Sequence, residues 1–210
     1  MNTSWGMAVL DRTANFKAVN DSLGHEIGDK LLIEIAERLI GLTNKKDIIS
    51  RYGGDEFTIL LSDSTDKRAN EVAQSILASL PEPFSLNHHE IIVTPSIGIS
   101  IFPDHGDNFD TLIKKADLAM YFAKSLGKNN FQFFHCDLMK KFDYELDLEI
   151  KLRKALGRNE FVLYFQPQID METNEIIGAE ALIRWEHPKK GIVSPIDFIP
   201  GSRPDSVKAF

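Results

Sequence analysis

Apolar residues recur along this chain with two distinct periods. Over "GDKLLIEIAERLI" (28–40), Leu31, Leu32, Ile35, Ala36, Leu39 and Ile40 fall on one stripe of a helix. The same spacing predicts helices over 68–80, closed by the breaker "PEPF", and over 108–127, stopped by Gly127. Elsewhere the period is two. In "IIVTPSIGISIF" (91–102), Ile97, Ile99 and Ile101 alternate as in a strand, and Pro95 marks a bulge or an edge. "MAVL" (7–10) reads as a short buried strand and "NNFQFF" (129–134) as a closing one. "DIISRY" and "EFTILLSD" read as two strands joined by Gly53-Gly54, a pair that tolerates positive φ. This mixed order predicts an α+β domain over 1–135, a central, mostly antiparallel sheet flanked by helices.

Behind it, 136–157 reads as a charged amphipathic linker helix. "EFVLYFQPQIDMETNEIIGAEALIRWEHP" then gives two strands separated by "METN", with Trp185 and Phe165 as candidate strand core. This last segment, 158–210, reads as the start of a second domain with an unrelated tail from about 201.

The composition narrows the partners. The chain has 210 residues, 43% of them hydrophobic, enough for one domain and part of another. A net charge of −7 argues against nucleic acid or an anionic membrane as partner, so a polyphosphate ligand needs local cations. The single cysteine, Cys136, excludes a disulfide framework or a cysteine metal cluster within one chain and suits a reducing cytoplasm. The first twenty residues lack the pattern of a signal peptide, and no apolar run approaches the ~20 residues of a membrane helix.

Against this background "RYGGDEFTILL" (51–61) stands out, with Asp55 and Glu56 following two glycines at the mouth of an apolar strand. Adjacent carboxylates suit a hard divalent cation such as Mg²⁺, which takes oxygen ligands and a substrate's phosphates. Glycines let a phosphate approach the backbone. Taken alone, the four residues also fit an exposed hairpin with charged flanks. More residues bear on the choice. "NFKAVNDSLGHEIGD" (15–29) forms a Gly-His-x-x-Gly-Asp loop leading into the helix, in which His25 reads as structural. Asn20 and Asp29 offer an amide and a carboxylate that match a guanine edge. Lys124 and Lys128, at i and i+4, supply counter-charge for a triphosphate. His88-His89 reads as a polar turn.

"FKAVNDSLGHEIGD", "RYGGDEF", "SIGIS" and "ADLAMYFAKSLGKN", in this order and spacing, resemble the GGDEF domain of diguanylate cyclases from residue 7 to about 135. The resemblance implies a cytoplasmic homodimer that condenses two GTP into cyclic di-GMP. Asp55 and Glu56 would hold Mg²⁺ (or Mn²⁺), with Glu56 assisting deprotonation of the attacking hydroxyl. Asn20 and Asp29 would bind guanine, Phe16 and Lys17 would contact phosphate through their backbone, and Lys124 and Lys128 would hold the terminal phosphates.

The chain departs from this pattern in its first strand, which in the family ends Asp-x-Asp-x-Phe-Lys. Without a gap, Arg12 and Ala14 occupy the acid positions. With one inserted residue, Asp11 is the metal ligand, "RTAN" bulges, and Val9 and Leu10 take buried places. Asn44 stands where the family's feedback motif has arginine, three residues before Asp47, so product inhibition there is not expected.

"FVLYFQPQID" and "GAEALIRWEHP" resemble the opening of the EAL domain, a cyclic di-GMP phosphodiesterase, with Glu180 as a metal ligand and Gln166 and Arg184 as dinucleotide contacts. That domain is a TIM-type barrel of typically ~250 residues. The resemblance here is confined to opening strands, so no phosphodiesterase activity is expected and the segment is expected to be poorly ordered, with open edges. Three readings stand: an active cyclase, a GTP-binding or regulatory module without turnover, and a truncated product without function. Asp11 and Arg12 can be told apart by turnover assay. If the ungapped alignment holds, Arg12→Asp raises turnover. If Asp11 is the ligand, Arg12→Asp does little and Asp11→Ala abolishes it.

Overall fold

A computed structural model describes residues 4–11 and 16–199, except for the side chains of Asp11 and Lys17. The chain divides into two compact units, Met1–Met139 and Lys140–Phe210.

The first unit is built on a five-stranded sheet in the order β2-β3-β1-β6-β7. Its strands are β1 (Trp5–Asp11), β2 (Ile48–Gly53), β3 (Glu56–Ser62), β6 (Ser96–Phe102) and β7 (Asn130–Phe133). Every pairing is antiparallel except β6 with β7. The helices are α1 (Phe16–Leu23), α2 (His25–Gly41), α3 (Asp66–Ser79) and α4 (Phe109–Ser125). Thr65 and Asn108 cap α3 and α4, each accepting from the amide three residues on.

Strand alternation splits the core into two layers. Leu10, Phe57, Ile59, Ile97, Ile99 and Ile101 pack with Leu31, Ile35 and Leu39 of α2 and with Ile76 of α3. On the opposite face Met7 and Val9 meet Leu112, Ile113, Ala116 and Met120 of α4. The small residues Gly98 and Ser100 let α4 approach: a Cβ on Gly98 would lie 1.9 Å from the Ala116 carbonyl oxygen, and Ser100 Oγ donates to the Leu112 carbonyl at 2.9 Å.

Several elements differ from the sequence expectation. The Gly-His-x-x-Gly-Asp stretch read as a loop is helical from His25, which opens α2, and Phe16–Leu23 before it forms α1. The strand expected from residue 91 begins at Ser96, just after Pro95. Only its first residue, Ile91, falls in a strand before that, closing a hairpin of β4 (Phe84–Leu86) and β5 (His89–Ile91), which turns through Asn87 and His88 with φ of 47° and 68°. Ile40, placed on the buried stripe of α2, is 61% exposed.

In the second unit, β8 (Phe161–Ile169), β9 (Ile176–His187) and β10 (Gly191–Val193) form a sheet in the order β10-β9-β8, followed by α6 (Pro195–Phe198). The helix α5 (Cys136–Gly157) begins in the first unit and ends in the second. Its Leu148, Leu152 and Ala155 join Phe161, Trp185 and Phe198 in a small core, with Trp185 Nε1 donating to Glu160 at 3.0 Å. The segment expected to be poorly ordered therefore has a core of its own. Trp185 is buried as expected, but Phe165 is 66% exposed and Leu163, Ile176 and Ile177 are exposed with it.

A buried ion pair fixes the start of β2 against β3 and α3. The Asp47 carboxylate accepts from the amides of Asn44 (2.8 Å) and Ser62 (3.0 Å) and pairs with Arg68 at 2.5 Å. Arg68 also donates to the Ser62 carbonyl. Burial alone would raise the Asp47 carboxyl, but Arg68 and the two amides outweigh it and hold the group below the usual aspartate range. Asp47→Ala leaves these donors unmatched and is expected to cost about 2–4 kcal/mol in urea unfolding at neutral pH. Stability from a depressed carboxyl is lost as pH falls through its folded-state value, so the gap between variant and wild type closes below the ordinary aspartate range.

Candidate functional site

The glycine-rich hairpin is closed by its own backbone. β2 and β3 pair down to Gly53 opposite Glu56, with a register shift between Arg51 and Gly53. Gly54 turns at φ 49°, and Arg51 Nε donates to its carbonyl at 3.0 Å. Gly53 has no positive φ, and a Cβ built on it would meet nothing within 4 Å. Of the two glycines expected to share the turn, only Gly54 has a conformational need for glycine.

Beyond the hairpin, register carries the site across the sheet. Glu56 lies opposite Asp11, Asp11 opposite Ser96, and Ser96 opposite Asn130. One transverse row thus holds Glu56, Asp11, Ser96 and Asn130 on four adjacent strands. Asp55 and Glu56 are half-buried. Arg12 and Ala14, the alternative positions for the first-strand acids, lie outside the described residues. Among the described residues no group of three or more His, Cys, Asp or Glu gathers as a metal cluster. The row nonetheless suits a hard cation in its chemistry. It offers oxygen donors, and Ser96 Oγ, fully buried beside the Asp11 position, has no hydrogen-bond partner among the described residues.

The helical pair α1/α2 brings Asn20 and Asp29 to one place. A Cβ on Gly28 would sit 1.9 Å from Asn20 Oδ1, so only glycine lets the amide lie against the start of α2. That oxygen is buried without a hydrogen-bond partner. Asp29, the next residue, is exposed and lines a groove of about 760 Å³ with Leu32, Ile33, Arg51 and Phe57. Phe16 and Lys17 open α1, whose amino end favours an anion.

The two lysines are arranged differently from the expectation. α4 ends at Ser125, and Gly127 (φ 111°) and Lys128 (φ 62°) are left-handed, so Lys124 and Lys128 do not share a continuous helical face. They are tied instead by Asn130, whose Nδ2 donates to the carbonyls of Ala123 (2.7 Å) and Lys128 (2.9 Å). Lys124 is half-buried and Lys128 exposed. Burial raises the Asp117 carboxyl above its ordinary range, and the Lys124 charge opposes that rise. Asp117, Ser96 and Asn130 are functional-site neighbours that the sequence reading passed over. Asp117 is an acid inside an apolar helical stripe, and the small residues alternating with Ile97, Ile99 and Ile101 were the available signal.

In the second unit Gln166 and Glu180 lie directly opposite each other on β8 and β9, and Arg184 lies on the same face two alternations further along β9, opposite Val162. Gln166 and Glu180 are exposed and Arg184 is half-buried. No helix among the described residues is long and apolar enough to cross a membrane.

Known proteins are similar to this chain in sequence and fold. Residues 2–130 match the family model for the diguanylate cyclase GGDEF domain, and residues 150–204 match that for the EAL domain. The chain is 40% identical to the bifunctional diguanylate cyclase/cyclic di-GMP phosphodiesterase MucR of Pseudomonas aeruginosa, over 88% of this chain and 27% of that protein. It is 36% identical to the cyclic di-GMP phosphodiesterase PdeR of Escherichia coli, over 94% of this chain and 30% of that one. It spans less than a third of the length of these curated relatives. Among solved structures, an EAL/GGDEF domain protein from M. capsulatus superposes with a TM-score of 0.60 at 44% identity, covering 64% of this chain and 86% of that one. The GGDEF domain of YfiN from Pseudomonas aeruginosa gives 0.64 at 31%, covering 67% and 83%.

The two hairpin glycines are expected to part company on substitution. Gly54→Ala forces a side chain into the left-handed region and should cost about 1–2 kcal/mol in urea unfolding. Gly53→Ala should stay within about 0.5 kcal/mol of wild type.

Proposed function

Because this chain belongs to the GGDEF family of diguanylate cyclase domains, with a partial EAL-type segment behind it, we propose that its first unit binds GTP and, as a homodimer, condenses two GTP into cyclic di-GMP. The observation that carries this reading is Gly53. Its bare backbone is required by neither dihedral angle nor packing, and it sits beside two carboxylates at the end of a sheet. A glycine that the fold does not need leaves room for a phosphate at the backbone.

In this reading Asp55, Glu56 and Asp11 hold Mg²⁺ or Mn²⁺. The cation supplies charge neutralisation at the α-phosphate. Asn20 and Asp29 orient guanine at the α1/α2 junction, the buried amide oxygen of Asn20 taking a donor from the base. Phe16 and Lys17 offer backbone amides to phosphate. Lys124 and Lys128 grip the terminal phosphates and stabilise departing pyrophosphate. Glu56 accepts the proton of the 3′-hydroxyl as that oxygen bonds to the α-phosphorus of the GTP held by the other subunit. Two such displacements form two phosphodiester bonds and release two pyrophosphates. A homodimer is needed because each subunit presents one nucleotide.

A second reading has a specific support. PdeR and the Pseudomonas aeruginosa protein NbdA, 37% identical over 92% of this chain, both carry the name cyclic di-GMP phosphodiesterase. The first unit then serves as a GTP-binding regulatory module without turnover. Gln166, Glu180 and Arg184 are assigned to the EAL-type dinucleotide side, and no hydrolysis is proposed for 158–210 alone.

Incubation with GTP and Mg²⁺ followed by nucleotide chromatography separates the readings. A cyclic di-GMP peak, absent for Glu56→Gln, supports the cyclase. GTP binding without that peak selects the regulatory module, and absence of both overturns each. Gly53→Ala is expected to weaken affinity for a non-hydrolysable GTP analogue about tenfold with unfolding unchanged.

A further inference from the structure

Three buried side-chain oxygens without a partner fall on one face of the first sheet: Thr58 Oγ1, Ser96 Oγ and Asn130 Oδ1. Ser96 and Asn130 complete the row that starts at Glu56 and Asp11, and Thr58 is two residues along β3 from Glu56. All three lie on the face that α4 covers. Buried polar atoms in folded proteins nearly always find partners. Ser100, on the same strand and face as Ser96, does so by donating to the Leu112 carbonyl of α4. Ser96, fully buried, makes no such bond. The row therefore contains hydrogen-bonding capacity that the described residues leave unused, next to the positions of two carboxylates.

Mg²⁺ sheds its water reluctantly and is bound through few carboxylates, with retained waters whose polarised protons need acceptors. Resting on the cation site proposed above, we infer that Ser96 and Asn130 are positioning residues that accept hydrogen bonds from the cation's retained water. Asn130 also joins the two halves of the site. Its side chain lies in the row beside Ser96, while its Nδ2 holds the Ala123 and Lys128 carbonyls, and with them the segment bearing Lys124 and Lys128. Placement of the cation and of the phosphate-binding lysines is thereby set by one side chain.

The test exploits opposite signs. A buried hydroxyl that merely lacks a partner is a packing defect, so Ser96→Ala should leave the metal-free melting temperature equal or higher. A hydroxyl that orders metal-bound water should, when removed, weaken cation binding by about 10-fold or more, as loss of an outer-shell partner does elsewhere. Mn²⁺ titration of the full chain, saturated with a non-hydrolysable GTP analogue and followed by electron paramagnetic resonance, reads the affinity directly. Asn130→Asp keeps an acceptor but loses the donor to Ala123 and Lys128. It should retain Mn²⁺ affinity within about threefold and weaken the analogue's own affinity about tenfold. Ser96→Ala binding Mn²⁺ within twofold of wild type overturns this proposal and leaves the cation site standing. A wild type no better than the Asp55→Ala/Glu56→Ala double variant overturns both.

Discussion

The constraint on which the first unit depends is the antiparallel register of β1 between β3 and β6. That register sets Asp11 opposite Glu56 on one side and Ser96 on the other. A strand's side chains alternate with period two, so a slip of one residue would exchange the two core layers, sending Val9 toward α2 and Leu10 toward α4. Both faces of β1 are buried, from Met7 to Leu10 at 4% exposure or less, and the exchange would have to be made against two packed helical layers. Burial on both faces thus secures the placement of an acid at the strand's end.

The helical layers then position the remaining groups by close approach. Gly28 lets Asn20 rest against the first turn of α2, and Gly98 lets the backbone of α4 descend on β6. Each is a glycine because another atom occupies the space of a side chain, unlike Gly54, which answers a dihedral requirement, and Gly53, which answers neither. The Asp47 carboxylate is taken up by Arg68 and two backbone amides, so it holds β2 in place at the far end of the hairpin from the glycines. The second unit follows another logic. Trp185, Phe161 and Phe198 close a small core against α5, while Phe165 and Ile177 of the same sheet remain exposed.

The chain by itself determined the periodic elements and the identity of the chemistry-bearing residues. The helical stripe of α2, the alternation of β6, the glycine hairpin and its two acids were all legible, because local periodicity and turn chemistry are short-range properties. Tertiary structure decided what those residues face. α1 was passed over although Phe16, Val19 and Leu23 fall at i, i+3 and i+7, because eight residues are too short a window for a periodic stripe to stand out, and it is completed by packing on α2. The i, i+4 relation of Lys124 and Lys128 gave way to left-handed backbone after Ser125, held by an asparagine six residues beyond Lys124. Ser96 and Asn130 entered the site only through strand pairing, with residues 97–129 between them in the chain. Spacing along a sequence fixes neighbours within one element, but a row across a sheet is set by hydrogen bonding between strands, and no local pattern encodes that.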